Sequence, residues 1–183
     1  VEAGAVIVAT GGLSYPATGS TGDGYRFAEA AGHTVTELFP ALVPFTCAEE
    51  DVKKLQGLSL KNVEVTVYDG KKVIWKEFGE MLFTHFGVSG PVVLSASSYA
   101  AKIIRKTPLK MDIDLKPALS AEVLNERLLR EFSERPNQHI KAVFQQLLPA
   151  KMIPVMIELS QISMDKPVNA ITKEERRRLV GLF

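Results

Sequence analysis

The apolar and polar positions of the first forty residues predict a strand, a loop and a helix. Residues 5–9 form a short continuous apolar run, a pattern typical of a parallel strand buried on both faces. A glycine-rich loop follows, and residues 24–31 have the composition of a short helix, with Gly32 suited to its C-terminal stop. Residues 34–38 predict a further, loosely patterned strand. Strand, glycine loop and helix together indicate the beginning of a βαβ unit.

Strict alternation further along the chain predicts antiparallel strands that are exposed on one face. In residues 61–78, three valines alternate with polar side chains, and Asp69-Gly70 has the composition of a type I′ turn, so we expect a hairpin. Residues 109–116 alternate as clearly. The pattern changes after Pro40, and we therefore place a domain boundary there.

The other segments carry apolar residues at the spacing of helices. Pro91 follows a serine and a glycine, the order expected where a helix begins, and this helix is expected to end near Ile104. Ser120 is a candidate N-cap, and Thr172 with Glu175 matches a capping box. The last third of the chain is therefore expected to be helical, with helices over residues 121–132, 140–148, 150–160 and 173–183.

Composition narrows the class of protein. The chain has 183 residues, 46% of them hydrophobic and 23% charged, which is ordinary for a globular chain with a core. Its net charge of +1 predicts neither a nucleic-acid nor a membrane partner. Cys47 is the only cysteine, which excludes an internal disulfide and favours a reducing, cytoplasmic location. The first residues already have a strand pattern, so we expect a piece of a longer protein.

The glycine-rich loop, residues 9–24, has several competing interpretations. A phosphate-binding P-loop needs G-x-x-x-x-G-K-[ST], but no lysine precedes Lys53. The dinucleotide fingerprint G-x-G-x-x-G is also missing, because the later glycines are spaced G-x-x-G-x-G. In a later strand of a dinucleotide fold, Gly11 and Gly12 would instead let the backbone approach a ring or ribose. An ordinary tight loop is the alternative that remains open.

Three separate blocks of sequence resemble one family of bacterial flavoproteins. The blocks are VIVATGGLSYPATGSTGDGYRFAEAAGH, PALVPF and GEMLFTHFGVSGPVVLSAS, and they resemble the HI0933-like, or BaiN-like, NAD(P)/FAD-dependent oxidoreductases. The resemblance implies hydride transfer between FAD and a nicotinamide or organic substrate, with NAD(P)H as a further cofactor. It also implies that this is the central part of such a protein, expected to be inactive and to retain no FAD by itself.

The resemblance implies an α+β fold in three parts. Residues 1–40 correspond to a fragment of a Rossmann-like FAD-binding domain, residues 41–118 to a small antiparallel β-barrel, and residues 119–183 to a helical subdomain of the same insert. The expected partner is a small-molecule substrate, and a homodimer is left open. The alternative from another functional class is a non-catalytic binding or dimerisation module made of the barrel and the helices.

The resemblance also supplies candidate site residues. The end of the first strand would pass the nucleotide half of the flavin, and the loop after it would lie near the isoalloxazine or the substrate. A second block would return from the insert to the same crevice. The cofactor-binding residues expected on this basis are Ala9, Thr10, Gly11, Gly12, Tyr15, Pro16, Gly19, Gly22, Asp23, Gly24, Thr84, Ser89 and Gly90.

No catalytic residue can be assigned from the sequence. His85 is the one candidate, because an imidazole exchanges protons near neutral pH, and a structural hydrogen bond is its alternative role. Asp23 has a local alternative as the cap of the following helix. Trp75 could stack on a base or cover the barrel core. No metal site is expected.

Overall fold

The computed structural model describes residues 2–183, which divide into two compact units. The first unit ends at Phe39, and the second runs from Pro40 to Phe183. The change of sequence pattern at Pro40 therefore coincides with the start of the second unit. The finer division into three parts, with a boundary near residue 119, stays a prediction.

The first unit contains a 3₁₀ turn, Pro16–Thr18, and a helix, α1, over Asp23–Ala30. The helix ends as the sequence predicted. The N–H of His33 donates to the carbonyl oxygen of Ala28 at 3.0 Å, and Gly32 has a φ of +87°. This is the left-handed glycine stop that closes many helices, because glycine has no Cβ to strain that conformation.

Both strands predicted in the first unit are absent, so these two predictions are wrong. Residues 5–9 and 34–38 form no strand in the described chain. Val6 and Ile7 are 79% and 92% exposed instead of buried. A strand requires a neighbour for its backbone N–H and C=O groups, and no strand of residues 2–39 supplies one. The apolar run thus marks a segment that can be buried, but it does not specify its partner.

The second unit contains a five-stranded antiparallel sheet that curls into a half-barrel, as the predicted barrel requires. The strands are β1 (Phe45–Thr46), β2 (Ser59–Asp69), β3 (Lys72–Phe83), β4 (Gly87–Ser89) and β5 (Lys110–Asp114). Their order in the sheet is β1-β4-β3-β2-β5. Register shifts near Leu60 and Val67 mark irregularities in the pairing of β2 with β3, and such bulges increase the local twist of a sheet.

The hairpin predicted from alternation is formed by β2 and β3. The three valines of β2 are at most 2% exposed, which confirms the pattern. The predicted type I′ turn is wrong in detail. Asp69 pairs with Lys72, so the loop residues are Gly70 and Lys71, and only Gly70 has a positive φ, +58°. A type I′ turn needs positive φ at both positions, whereas a type II′ turn needs it only at the first.

The helices of the second unit begin close to the residues that the sequence indicated. The Ser120 hydroxyl accepts a hydrogen bond from the Val123 N–H at 3.3 Å, and the capping box of Thr172 with Glu175 is complete. These helices are α2 (Glu50–Lys54), α3 (Pro91–Ile104), α4 (Ala121–Glu134), α5 (Ile140–Leu147), α6 (Ile153–Ser160) and α7 (Lys173–Leu182). No helix of residues 2–183 is long and apolar enough to cross a membrane.

One continuous hydrophobic core joins the sheet to these helices. Val65 and Met81 enter it from the sheet, and Leu128, Phe144 and Leu179 enter it from α4, α5 and α7. The apolar residues at helical spacing in these two segments are the ones that are buried: Leu124, Leu128 and Phe132 in α4, and Ile140, Val143, Phe144 and Leu147 in α5. Because sheet and helices share this core, we expect residues 40–183 to fold as one body.

Candidate functional site

The glycine-rich loop of the first unit is closed by its own backbone hydrogen bonds. The N–H of Gly22 donates to the carbonyl oxygen of Gly12 at 3.1 Å, which joins the two ends of the loop. At its tip, the N–H of Thr18 donates to the carbonyl oxygen of Tyr15 at 2.9 Å. Tyr15 itself has a φ of +55° and is 82% exposed. The loop therefore presents this aromatic ring to the outside.

The backbone of the loop favours glycine at three positions, because φ is +72° at Gly11, +93° at Gly19 and +85° at Gly22. A Cβ on any of three glycines would collide with a neighbouring loop side chain: Gly11 with Ser20 Oγ at 2.6 Å, Gly22 with Leu13 Cδ2 at 2.8 Å, and Gly24 with Thr10 Oγ1 at 2.7 Å. The tight-loop interpretation therefore accounts for the glycines with positive φ, Gly11, Gly19 and Gly22, without a ligand. Gly12 and Gly19 are less crowded, since the nearest atom is the Tyr25 hydroxyl oxygen at 3.1 Å for Gly12 and none lies within 4 Å for Gly19.

Thr10 carries the one feature of this loop that local packing leaves unexplained. Its hydroxyl oxygen is buried and has no hydrogen-bond partner among residues 2–183. Leaving a buried hydroxyl unpaired costs about 1–3 kcal/mol, so such groups usually have a partner. A ligand oxygen or nitrogen that reached Thr10 would supply one. The resemblance had placed Thr10 beside the flavin.

Asp23 does not cap α1, so the capping interpretation is wrong. Gly22 occupies the N-cap position, and the Asp23 carboxylate forms an ion pair with Arg26 and accepts a hydrogen bond from the Thr21 hydroxyl at 3.3 Å. The carboxylate lies in the first turn, where a negative charge stabilises the helix. No lysine and no other arginine precedes Lys53 in the sequence, and the guanidinium of Arg26 is paired with Asp23.

The second predicted block lies in the turn between β3 and β4. The Thr84 hydroxyl accepts a hydrogen bond from the Gly87 N–H at 3.0 Å, and the Thr84 N–H donates to the Gly87 carbonyl oxygen at 2.8 Å. Gly90 has a φ of +98°, and a Cβ there would lie 2.8 Å from the Met81 Cα. Ser89 pairs with Leu82 in the sheet. Thr84 and Gly90 thus have structural roles, and their contact with a cofactor stays a prediction.

His85 is exposed at the tip of the same turn. Its ring meets Phe86 edge-on, with centroids 4.9 Å apart. Neither ring nitrogen has a hydrogen-bond partner in residues 2–183, so the structural hydrogen bond that was its alternative role is not present there. The imidazole is accessible to a substrate, and its catalytic role stays a prediction.

Cys47 and the possible metal ligands offer no reactive site. Burial, with a smaller contribution from Glu49, raises the pKa of the Cys47 thiol, which lowers its nucleophilicity. No three His, Cys, Asp or Glu side chains within residues 2–183 are grouped so that they could hold a metal ion. The predicted site residues from Ala9 to Gly24 lie in the first unit, and those from Thr84 to Gly90 lie in the second.

Comparison with known families identifies the second unit. Residues 39–183 match the family model described as the HI0933-like protein barrel and H2TH domain. The chain belongs to this HI0933-like family. Its proteins are flavoproteins of the oxidoreductase type and generally bind FAD. The barrel and helices observed in residues 40–183 are therefore those of this family's barrel and H2TH domain.

Curated relatives match nearly the whole chain. The ribosomal RNA dihydrouridine synthases of Haemophilus influenzae and Escherichia coli are 37% and 34% identical to it, over 97% and 96% of the chain. The 3-dehydro-bile acid delta(4,6)-reductase of Clostridium scindens is 28% identical over 96%. The chain spans only 41% of the length of each synthase and 43% of that of the reductase.

Proposed function

We propose that the whole protein is a flavin-dependent reductase that saturates a carbon–carbon double bond conjugated to a carbonyl group, with uracil in ribosomal RNA as its substrate. The observation that carries this proposal is the 37% identity to a ribosomal RNA dihydrouridine synthase over 97% of the chain, which includes nearly all of both units. The proposal departs from the expectation, based on net charge, that nucleic acid is not a partner. That expectation is untested.

The names of the relatives share one type of chemistry. Dihydrouridine differs from uridine by two hydrogens across the C5–C6 bond, which is conjugated to the C4 carbonyl. A delta(4,6)-reductase of a 3-dehydro bile acid acts on double bonds conjugated to the 3-oxo group. In both, a hydride adds to the carbon remote from the carbonyl and a proton adds to the neighbouring carbon. We therefore infer that the substrate of this protein contains a carbon–carbon double bond conjugated to a carbonyl group.

The first unit fits contact with the ring or ribose of FAD better than contact with its phosphates. The observation that supports this is the buried Thr10 hydroxyl, which has no partner within residues 2–183. No free lysine or arginine is available among residues 2–39, because Arg26 is paired with Asp23. Bound FAD would supply the hydride, and NAD(P)H is the proposed source of electrons for it. Thr10 would orient the cofactor.

An assay of the whole protein tests the proposed function. The purified protein is expected to show flavin absorbance, to oxidise NAD(P)H and to convert uridine in unmodified ribosomal RNA to dihydrouridine, detected by mass spectrometry as a gain of two hydrogens per modified base. The absence of flavin would contradict the enzyme class. Reduction of a conjugated 3-oxo steroid with no change in the RNA would contradict the substrate and leave the class intact.

Thr10→Val is expected to weaken FAD binding by the whole protein about tenfold, since a hydrogen bond lost from a bound complex costs about 1–1.5 kcal/mol. Valine has nearly the same shape as threonine and lacks the hydroxyl. Without FAD the same variant is expected to be more stable than wild type, because it removes an unpaired buried hydroxyl. Flavin titration and thermal unfolding measure the two effects.

Thr18→Val is the matched control for this substitution. The Thr18 hydroxyl is exposed and donates to the carbonyl oxygen of Tyr15 at 2.7 Å, so its loss is expected to leave FAD affinity unchanged. If Thr10→Val and wild type bound FAD equally well, Thr10 would not contact the cofactor.

A further inference from the structure

Two segments that are far apart in sequence bring lysines to one end of the half-barrel. Lys71 and Lys72 lie at the turn between β2 and β3. Tyr68, near the end of β2, pairs with Lys110 at the start of β5, so β5 begins beside the same turn. Lys106 lies in the short connection that precedes β5. We call Lys71, Lys72, Lys106 and Lys110 the basic end.

Helix α3 runs toward this basic end. Near its beginning, Val92 packs where a Cβ on Gly79 would otherwise lie, and further along, Tyr99 lies beside Trp75. Helix α3 therefore runs antiparallel to β3, toward the turn at Lys72. Its last turn and the residues just after it approach the basic end, and Lys102 and Arg105 lie in this part of the chain.

The lysines of the basic end are mostly without counterions. Lys71, Lys72 and Lys106 form no ion pair with any residue of 2–183. Lys110 pairs with Asp112 at 2.9 Å and lies 5.5 Å from the centre of the Tyr68 ring. Asp69, the register partner of Lys72, and Asp112 also lie at this end, so four lysines and two aspartates leave a net charge of +2 there.

An exposed aromatic ring lies on α3, the helix that runs toward this end. Tyr99 is 62% exposed, and its ring centroid lies 6.5 Å from that of Trp75. Trp75 is packed against the hydrophobic core, which agrees with the core-covering role and leaves Tyr99 as the exposed ring. A ring on which a base can stack, next to cations that can contact phosphates, is the combination that binds single-stranded nucleic acid.

We propose that the basic end and Tyr99 together bind single-stranded RNA, with the lysines on the phosphate backbone and one base stacked on Tyr99. This inference rests on the proposed function, because it assigns a docking surface to the RNA substrate. It commits to RNA because lysines alone would suit any polyanion, whereas an exposed ring beside them adds a contact for a base. A surface of this kind would hold the substrate while the flavin site acts on one uracil.

The test compares two double variants of the flavin-loaded whole protein. Lys71→Gln with Lys106→Gln removes two charges from the basic end, and Lys141→Gln with Lys173→Gln removes two exposed charges from the helices. The probe is a short fluorescein-labelled single-stranded RNA that contains uridine. Its binding is measured by fluorescence anisotropy at salt concentrations from roughly 50 to 200 mM. The first variant is expected to bind about tenfold more weakly, with a slope of log affinity against log salt that is smaller by about 1.4. The second is expected to bind as wild type does.

Substitutions at Tyr99 separate stacking from charge. Tyr99→Ala is expected to bind the same RNA about tenfold more weakly with an unchanged salt slope, because base stacking does not depend on counterion release. Tyr99→Phe is expected to retain wild-type affinity. Phe78→Ala, which removes another exposed ring from the half-barrel, is the control and is expected to have no effect.

Three results would overturn the inference: wild-type RNA affinity in the Lys71/Lys106 variant, an equal loss in both double variants, or binding to phosphatidylserine vesicles but not to RNA. Flavin content and reduction by NAD(P)H are measured in the same preparations. Intact flavin chemistry together with any of these results would reject the RNA surface only. Absence of flavin in the wild-type protein would instead reject the proposed function.

Discussion

Gly87→Ala is expected to destabilise the second unit by about 3 kcal/mol, the upper end of the cost of overpacking. A Cβ at Gly87 would overlap the carbonyl oxygen of Phe45 and would lie 2.8 Å from the backbone nitrogen of Cys47. These are backbone atoms of β1 and its continuation, so no side-chain rotation relieves the collision. Relief requires β1 to separate from β4, which also breaks the hydrogen bond from the Cys47 N–H to the Phe86 carbonyl oxygen.

Urea denaturation of the 183-residue chain, followed by the fluorescence of its single tryptophan, measures this loss. Gly181→Ala is the matched control. A Cβ at Gly181 meets no atom within 4 Å, and the residue lies in α7, where alanine is the better helix former by up to about 1 kcal/mol. The two alanine substitutions should therefore change stability in opposite directions. Equal stability of Gly87→Ala and wild type would show that β1 does not pack against β4 in this way.

Phe144→Ala is expected to cost about 3–5 kcal/mol, because it removes a large buried side chain and leaves a cavity. Phe144 is fully buried in α5, and its ring meets that of Phe183 edge-on with centroids 6.0 Å apart. The core that contains it is shared by the helices and the sheet. The loss should therefore appear as one cooperative unfolding transition that includes the barrel.

The control for Phe144 is Phe78→Ala. Phe78 is 57% exposed on β3, so its loss is expected to change the free energy of unfolding by no more than about 0.5 kcal/mol. Separate transitions for barrel and helices in Phe144→Ala, with the barrel unchanged, would contradict the single shared core. A cost below about 1 kcal/mol would contradict the burial of Phe144.

The sequence predicted most of the helices and the central hairpin because their signals are local. A cap such as Ser120 acts on an N–H three residues away, and alternating valines in β2 require only that one face be buried. The strand predicted at residues 5–9 failed for the opposite reason. A strand depends on hydrogen bonds to another strand, and apolar composition does not supply that partner.

The candidate site was predicted only in part. The resemblance selected Thr10, and the structure added the specific reason for interest in it, a buried hydroxyl without a partner. Spacing alone could not separate Gly11, whose φ of +72° favours glycine, from Gly12, whose φ is not positive. That distinction depends on the backbone conformation that the folded loop adopts.

By itself, the sequence determined the family, the positions of most helices and the faces that they bury, because helix periodicity and capping depend on neighbouring residues. Only the tertiary structure decided that Gly87 must be glycine and that Lys71 and Lys106 lie at one end of the half-barrel. These properties arise between segments tens of residues apart. Net charge is a sum over the whole chain, whereas the field that a ligand meets depends on which charges folding brings together.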